Sequence, residues 1–409
     1  MNIAIDIRPL MERRYTGVSL YTYNLLKNLL ELDSKNQYYL FYNSKSDVSA
    51  NIPKFKKTNV HYAEFKYPNK LLNFSFKFLR WPKADLMINE KFKTSIDIFL
   101  MPNWQFISLS KHCKKILIVH DLSCSIYPEF YSLKRRLWHK IINTKKLCRE
   151  FDQIITVSEN TKKDLINLYK ISPEKIFVIY PGVSGITDKV VELTTVKSKY
   201  GLPEKFILYL GALEPRKNIS GIIEAFEKLS ALPHGGDKPA FTPQAGRLQQ
   251  GERVSSYNTK PDLKNLKLVL AGPKSWLYRG IKKSIDQSPV RENIRIIDYV
   301  REEDKKALYY LAEIFIYPSF YEGFGFPPLE AMAVGTPVVA SFNSSLGEIL
   351  GNSALLADPY NVAEIAHAME QIILDKNLKK SLIKKGFKRA REFSWRKTAE
   401  KVLEIFNNF

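Results

Sequence analysis

The chain has 409 residues, 45% of them hydrophobic and 26% charged, which excludes a disordered or fibrous protein and points to two cores of ordinary size rather than one. Its 63 Lys plus Arg outnumber 42 Asp plus Glu, a formal net charge of +21, so the partners to expect are anionic: phosphates, nucleic acid or an acidic membrane surface. Cys113, Cys124 and Cys148 have no metal-ligand spacing; they suit a reducing compartment and read as buried packing residues.

The opening MNIAIDIRPL reads as a strand rather than a secretory leader, because Asp6 and Arg8 interrupt the apolar run. No window of about 18 apolar residues follows, and a cytoplasmic protein is the expectation. Short β-branched runs then alternate with helical patterns, the signature of parallel sheets built from βαβ units. Strands are predicted at 3–7, 38–42, 96–100, 115–119, 153–157 and 175–179. The polar stretch 193–205 reads as an interdomain linker. A second series is predicted at 206–210, 267–270, 294–297, 314–317, 337–340 and 354–356. Two Rossmann-like lobes follow, residues 1–190 and 200–392, with a terminal amphipathic helix at 393–409 packing back on the first. Within the second lobe, 233–261 is rich in Gly, Pro, Gln and Ser and reads as an inserted, mobile excursion.

Four segments carry chemistry. In YEGFGFPPLEAMAVGTPVVA, seven residues separate Glu322 from Glu330, and the run Gly323-Phe324-Gly325-Phe326 precedes Pro327-Pro328 and a helix. Proline in a first helical turn marks a helix start, whose free N–H groups and dipole form a site for a diphosphate. The two glycines let that backbone approach phosphates without a Cβ, and the flanking carboxylates can accept hydrogen bonds from a hexose and a ribose. In LYLGALEPRKNIS, Arg216 and Lys217 follow a strand. Fixed cations there can stabilise the charge that develops as a nucleoside diphosphate departs. The chain contains no Asp-x-Asp pair to hold a metal, so no metal site and no cofactor are expected. In ILIVHDLSCSIYPEFYS, His120 and Asp121 stand at the carboxyl end of a buried strand, where open α/β sheets bind ligands. In RRYTGVSLYTYNLLKNLL, Gly17 sits between the first strand and an amphipathic helix.

Together these motifs resemble the retaining glycosyltransferase family 4 of the GT-B superfamily, and the similarity covers nearly the whole chain outside the insertion. The resemblance implies a GT-B fold with the acceptor on the first lobe and a nucleotide sugar on the second. It implies that Glu322 binds donor-sugar hydroxyls and Glu330 the ribose, that amides from Gly323 to Phe326 face sugar and phosphates, and that His120 and Asp121 lie beside the donor sugar. Gly17 corresponds to the glycine loop that closes over the diphosphate, and Tyr299-Val300 to the place of the base. Ser158, in ITVSENTKKDL, fits either a helix N-cap or a donor contact. Many members have Arg where this chain has Ala212, which leaves more of the phosphate load to Arg216.

GALEPRKN is similar to mannosyltransferase-like members, so mannose is the favoured hexose and cell-surface polysaccharide such as lipopolysaccharide the favoured product, with a glycan or polyprenyl-linked acceptor. A nucleotide-sugar epimerase of the same superfamily is the alternative. A basic nucleic-acid-binding protein would account for the charge but not for Glu322 and Glu330, and no nucleic-acid-binding pattern is visible; nucleic acid is therefore not expected as a partner. The basic and aromatic segments 66–83 and 133–149 read as surface helices or as peripheral attachment to anionic lipid at the inner face of the cytoplasmic membrane.

Overall fold

The computed structural model describes all residues except 14, 184–191, 232–262 and 264. The predicted insertion 233–261 lies outside the described residues. The chain folds into two lobes, each a parallel sheet flanked by helices. In the first, β1 (Asn2–Asp6), β2 (Gln37–Asn43), β3 (Val60–Phe65), β4 (Ile98–Met101), β5 (Lys114–Val119), β6 (Gln153–Thr156) and β7 (Ile176–Val178) are ordered β3-β2-β1-β4-β5-β6-β7. In the second, β8 (Lys205–Leu210), β9 (Leu266–Ala271), β10 (Ile294–Ile297), β11 (Ile314–Tyr317), β12 (Val338–Ser341) and β13 (Leu355–Ala357) are ordered β10-β9-β8-β11-β12-β13. Both orders are those of doubly wound Rossmann sheets. In such sheets the chain reverses direction between two central strands and opens a ligand crevice beyond their carboxyl ends. Here the reversals lie between β1 and β4 and between β8 and β11.

The central strands are near-continuous apolar runs, such as Ile116 to Val119 and Phe206 to Tyr209, because helices cover both faces. The sequence reading missed β3. It is an edge strand bonded only to β2, and in VHYAEF only Ala63 is buried, so its apolar signal is weak.

The reading of 193–205 as a linker is corrected. Leu193–Tyr200 is a helix ended by Gly201 in a left-handed conformation, φ 56°. It buries Val196, and the Tyr200 hydroxyl donates to Asp304 at 2.7 Å, so the segment is part of the second lobe. The helix Trp395–Asn407 packs on the helix Gly17–Leu32 of the first lobe, with the Trp395 ring edge-on to Tyr21 at 5.3 Å. The chain therefore passes between the lobes twice, and the two passages are stitched side by side. Val183 N–H donates to the Phe393 carbonyl at 3.2 Å, and the Thr398 hydroxyl donates to the Tyr180 carbonyl at 2.8 Å. Cys113 and Cys148 are buried and Cys124 partly so, and burial raises all three thiols, so they stay protonated.

Candidate active site

After β8 the chain turns into one 3-10 turn, Pro215–Lys217, which aims two cations back over the sheet. The Arg216 guanidinium donates to the Tyr321 carbonyl at 2.6 Å and to Glu214 at 2.8 Å, and lies 3.2 Å from Glu322 Oε2. Lys217 Nζ donates to the Tyr317 hydroxyl at 2.7 Å and to Glu322 Oε1. Two cations thus face two carboxylates, and the cluster is neutral as it stands. Arg216 Nε is a buried donor that no acceptor meets among the described residues. Burial pushes the Glu322 carboxyl up, but Lys217 and Arg216 outweigh it and hold the group down at about 2. Burial and repulsion from Arg216 lower Lys217 despite Glu322.

Glu322 leads into the Gly-rich loop and the helix Phe326–Ala333, capped by Gly325 at φ 98°, where a side chain would be strained. The structure gives Gly323 a reason the sequence did not. A Cβ there would lie 1.9 Å from the His120 carbonyl oxygen, so the missing side chain lets the lobes touch, whatever its use to phosphates. The Phe324 and Phe326 rings turn away to pack on Phe393 and Trp395. Glu330 accepts from the Tyr309 hydroxyl at 2.9 Å. Burial, with Glu302 nearby, pushes Glu330 up against the pull of Lys305.

Across the cleft, His120 Nε2 lies 2.8 Å from the Pro102 carbonyl, which fixes the proton on that nitrogen and leaves Nδ1 as the acceptor. Burial lowers the His120 pKa, so the ring is neutral at pH 7. Asp121 accepts from Ser123 N–H at 2.9 Å. Gly17 is the first residue of its helix, and nothing stands within 4 Å of where its Cβ would be.

A cleft of about 1160 Å³ between the lobes is lined by Gly17, His120, Asp121, Arg216, Lys217, Tyr299, Val300, Glu322, Gly323, Phe324, Gly325, Phe326 and Glu330. Ser158 is not among its lining residues. It is fully buried and caps the helix Glu159–Asp164, accepting from Thr161 N–H at 3.1 Å. The lobes also meet around the cleft. The Trp276 indole N–H donates to the Phe130 carbonyl at 2.5 Å, Phe130 stacks on Phe320, and Glu348 accepts from Glu159 N–H and Asn160 N–H at 2.8 and 3.0 Å.

Two sequence models match end to end: "Glycosyltransferase Family 4" over residues 15–184 and "Glycosyl transferases group 1" over 194–389. The chain belongs to the family 4 glycosyltransferases. It is 29% identical over 301 residues to the O-antigen chain mannosyltransferase B of Escherichia coli, a match covering 72% of this chain and 70% of that one. It is 28% identical over 297 residues to the serotype-specific mannosyltransferase WbdA of Escherichia coli, spanning 33% of that longer protein. Sucrose-phosphate synthase from Thermosynechococcus elongatus superposes over 100% of this glycosyltransferase and 98% of its own chain, with a TM-score of 0.71 and 18% identity. That likeness establishes the GT-B fold. Among the described residues no cluster of three His, Cys, Asp or Glu could hold a metal, and no helix is long and apolar enough to cross a membrane.

Sequence reasoning passed over several residues that line the cleft. Glu214, two places before Arg216, and Lys305, beside Glu330, set the charge of the motif residues. Trp276, Arg135 and Trp138 also line it, and the Arg135 guanidinium sits 4.0 Å from the Trp276 ring centroid. Trp276 lies a few residues past the carboxyl end of β9, the same signal that singled out His120 after β5.

Proposed function

We propose that this glycosyltransferase moves a hexose, with mannose favoured, from a nucleoside-diphosphate sugar to a glycan or lipid-linked acceptor in cell-surface polysaccharide synthesis. Transfer keeps the anomeric configuration and needs no metal. Its place is the cytoplasm, at the inner face of the membrane. The observation that carries the reading is the buried Arg216–Lys217–Glu322 cluster, which faces His120 across a cleft between two nucleotide-binding folds. Both mannosyltransferase relatives support the sugar.

In this reading the diphosphate lies against Arg216 Nε, Lys217 and the N-terminus of the helix Phe326–Ala333. Glu322 and His120 Nδ1 accept hydrogen bonds from hexose hydroxyls, Glu330 binds the ribose, and Tyr299-Val300 flank the base. The acceptor enters from the side of Gly17 and Trp138. Glu322 is a poor nucleophile, because both of its oxygens are held by cations and its basicity is low. Asp121 is engaged by Ser123. Displacement from the front face is the step consistent with this. The bond from C1 to the phosphate oxygen breaks, the acceptor oxygen bonds C1 on the same face, and its proton passes to the departing phosphate oxygen. The cations and helix dipole stabilise the charge that develops there, and lobe closure excludes water.

The test is release of nucleoside diphosphate from a panel of nucleotide sugars with a chelator and a saccharide acceptor present, followed by NMR of the new anomeric centre. Transfer with retained configuration is expected. Inverted product, or activity lost to chelator and restored by a divalent ion, overturns the mechanism. Nucleotide and free sugar released without any acceptor point to an epimerase instead.

A further inference from the structure

The two basic and aromatic segments of the first lobe leave large apolar side chains in solvent. Segment 66–83 forms the helix Asn69–Phe74 and runs on as a π-helical turn, Ser75–Leu79. It buries Leu72 and Phe76 but leaves Leu71, Phe74, Phe78 and Trp81 exposed at 67%, 56%, 62% and 69%. Phe74 and Phe78 touch each other, with ring centroids 4.9 Å apart. On the helix Leu133–Ile142, Leu133, Leu137 and Ile141 recur every fourth residue, and all three are exposed.

The two elements meet at their C-terminal ends. Lys77 Nζ donates to the Ile142 carbonyl at 3.0 Å, and Arg80 pairs with Glu150 at 2.5 Å. Around these apolar residues stand the exposed cations Lys70, Arg80, Lys134, Arg136, Lys140 and Lys146. Burial lowers the Lys77 pKa, with Lys146 and Arg80 adding to it against the pull of Glu150.

Water alone is a poor partner for four exposed aromatic and leucine side chains ringed by lysine and arginine. We propose that this face docks on an anionic phospholipid bilayer, with Leu71, Phe74, Phe78, Trp81, Leu137 and Ile141 in the headgroup layer and the surrounding cations on lipid phosphates. The placement agrees with the chemistry of the cleft. Trp138 and His139, on the other edge of the helix Leu133–Ile142, line the cleft, and an open groove of about 610 Å³ past Pro128, Leu133, Leu137 and Lys140 adjoins it. A bilayer at this face stands beside the acceptor side of the cleft, as the lipid-linked acceptor of the proposed function requires. The docking itself rests only on the exposed residues.

The experiment is co-sedimentation of the full chain with vesicles of phosphatidylcholine alone and of phosphatidylcholine mixed with phosphatidylglycerol. Binding to the mixed vesicles should exceed binding to the neutral ones at least about tenfold and weaken with salt. Leu71→Ser with Phe78→Ser should abolish binding, and Lys70→Gln with Lys140→Gln should weaken it about tenfold. All four positions are exposed, and an unchanged melting temperature shows that each variant is folded. No vesicle binding, equal binding to neutral vesicles, or a dimer in light scattering that the Leu71 and Phe78 variant dissolves would each overturn the proposal. Vesicle binding in a protein whose melting temperature no nucleotide sugar shifts would instead count against the proposed function and leave the docking surface standing.

Discussion

Replacing Lys217 with Met keeps most of the side chain's length and deletes its charge. Counting Arg216 and Lys217 against Glu214 and Glu322, the buried cluster goes from neutral to a net charge of minus one, beside the place proposed for a diphosphate. The shift of Glu322 from its ordinary 4.5 to about 2 measures what the two cations supply beyond the cost of burial. At about 1.4 kcal/mol per unit it is worth about 3 kcal/mol. A carboxyl depressed in this way stabilises the folded state at pH values above its unfolded value, and that contribution is lost as the pH falls from about 4.5 toward 2. With Arg216 alone opposing burial, the Glu322 carboxyl returns to its ordinary range or above. Two results should follow in an assay of nucleoside-diphosphate release. At neutral pH, kcat/KM should fall about 10²- to 10³-fold, the usual loss when one fixed donor to a developing oxyanion is removed. The acid limb of kcat/KM, absent from the working range of the wild type, should appear near about pH 5 as Glu322 begins to protonate. A folded variant whose kcat/KM stays within about fivefold of the wild type, with no new acid limb, would refute the argument that Lys217 both serves the leaving group and keeps Glu322 ionised.

Gly323→Ala should place a methyl against the His120 carbonyl oxygen and hold the lobes apart; activity should be lost with little change in melting temperature, and small-angle scattering should show a larger radius of gyration than the wild type. His120→Gln should cost about 5- to 150-fold in kcat/KM, the worth of one hydrogen bond of about 1–3 kcal/mol, and should remove a stability loss that the wild type shows on acidification. Burial lowers the folded pKa of His120, so the unfolded chain takes up that proton first as the pH drops below about 6.5; equal denaturation midpoints on both sides of that value would contradict it. Glu348→Gln should weaken the contact with the helix Glu159–Asp164 by about 1 kcal/mol and lower the melting temperature by about 2–4 °C.

The fold was legible where one element carried one strong signal. The buried central strands announced themselves as apolar runs, and Gly325-Phe326-Pro327-Pro328 announced a helix start. What was hidden depends on partners far away in sequence. Strand β3 lies at the sheet edge with only Ala63 fully buried, so His61 and Glu64 interrupt its apolar run. The stretch 193–205 looked like a linker because just one of its helix residues, Val196, is buried. At the site, the motif supplied Glu322 and the turn supplied Arg216 and Lys217, but their mutual neutralisation emerges only when residues about 100 positions apart are brought within hydrogen-bond distance. Ser158 shows the opposite case: the sequence pattern fitted a cap and a ligand contact equally, and the structure displays the cap, with the side chain buried beneath the helix it opens.

The short segment after Glu322 also ties substrate to lobe closure. Glu322 N–H donates to the Ser344 hydroxyl at 3.0 Å, and the Ser345 hydroxyl donates to the Glu322 carbonyl at 2.9 Å. Ser344 opens the helix Ser344–Leu350, whose Glu348 reaches the first-lobe helix Glu159–Asp164. That helix in turn sends the Thr161 hydroxyl to the His120 carbonyl at 3.3 Å, the same oxygen that closes on Gly323. The path from Glu322 to His120 is therefore a ring of direct contacts that crosses between the lobes twice. A ligand that binds Glu322 and His120 together gains both contacts only when the ring is shut, so it favours the closed arrangement by its differential affinity for it. Breaking the ring at Glu348, remote from any ligand atom, should accordingly raise KM for the donor more than it lowers kcat. Substitution at Lys217, inside the cleft, should do the reverse.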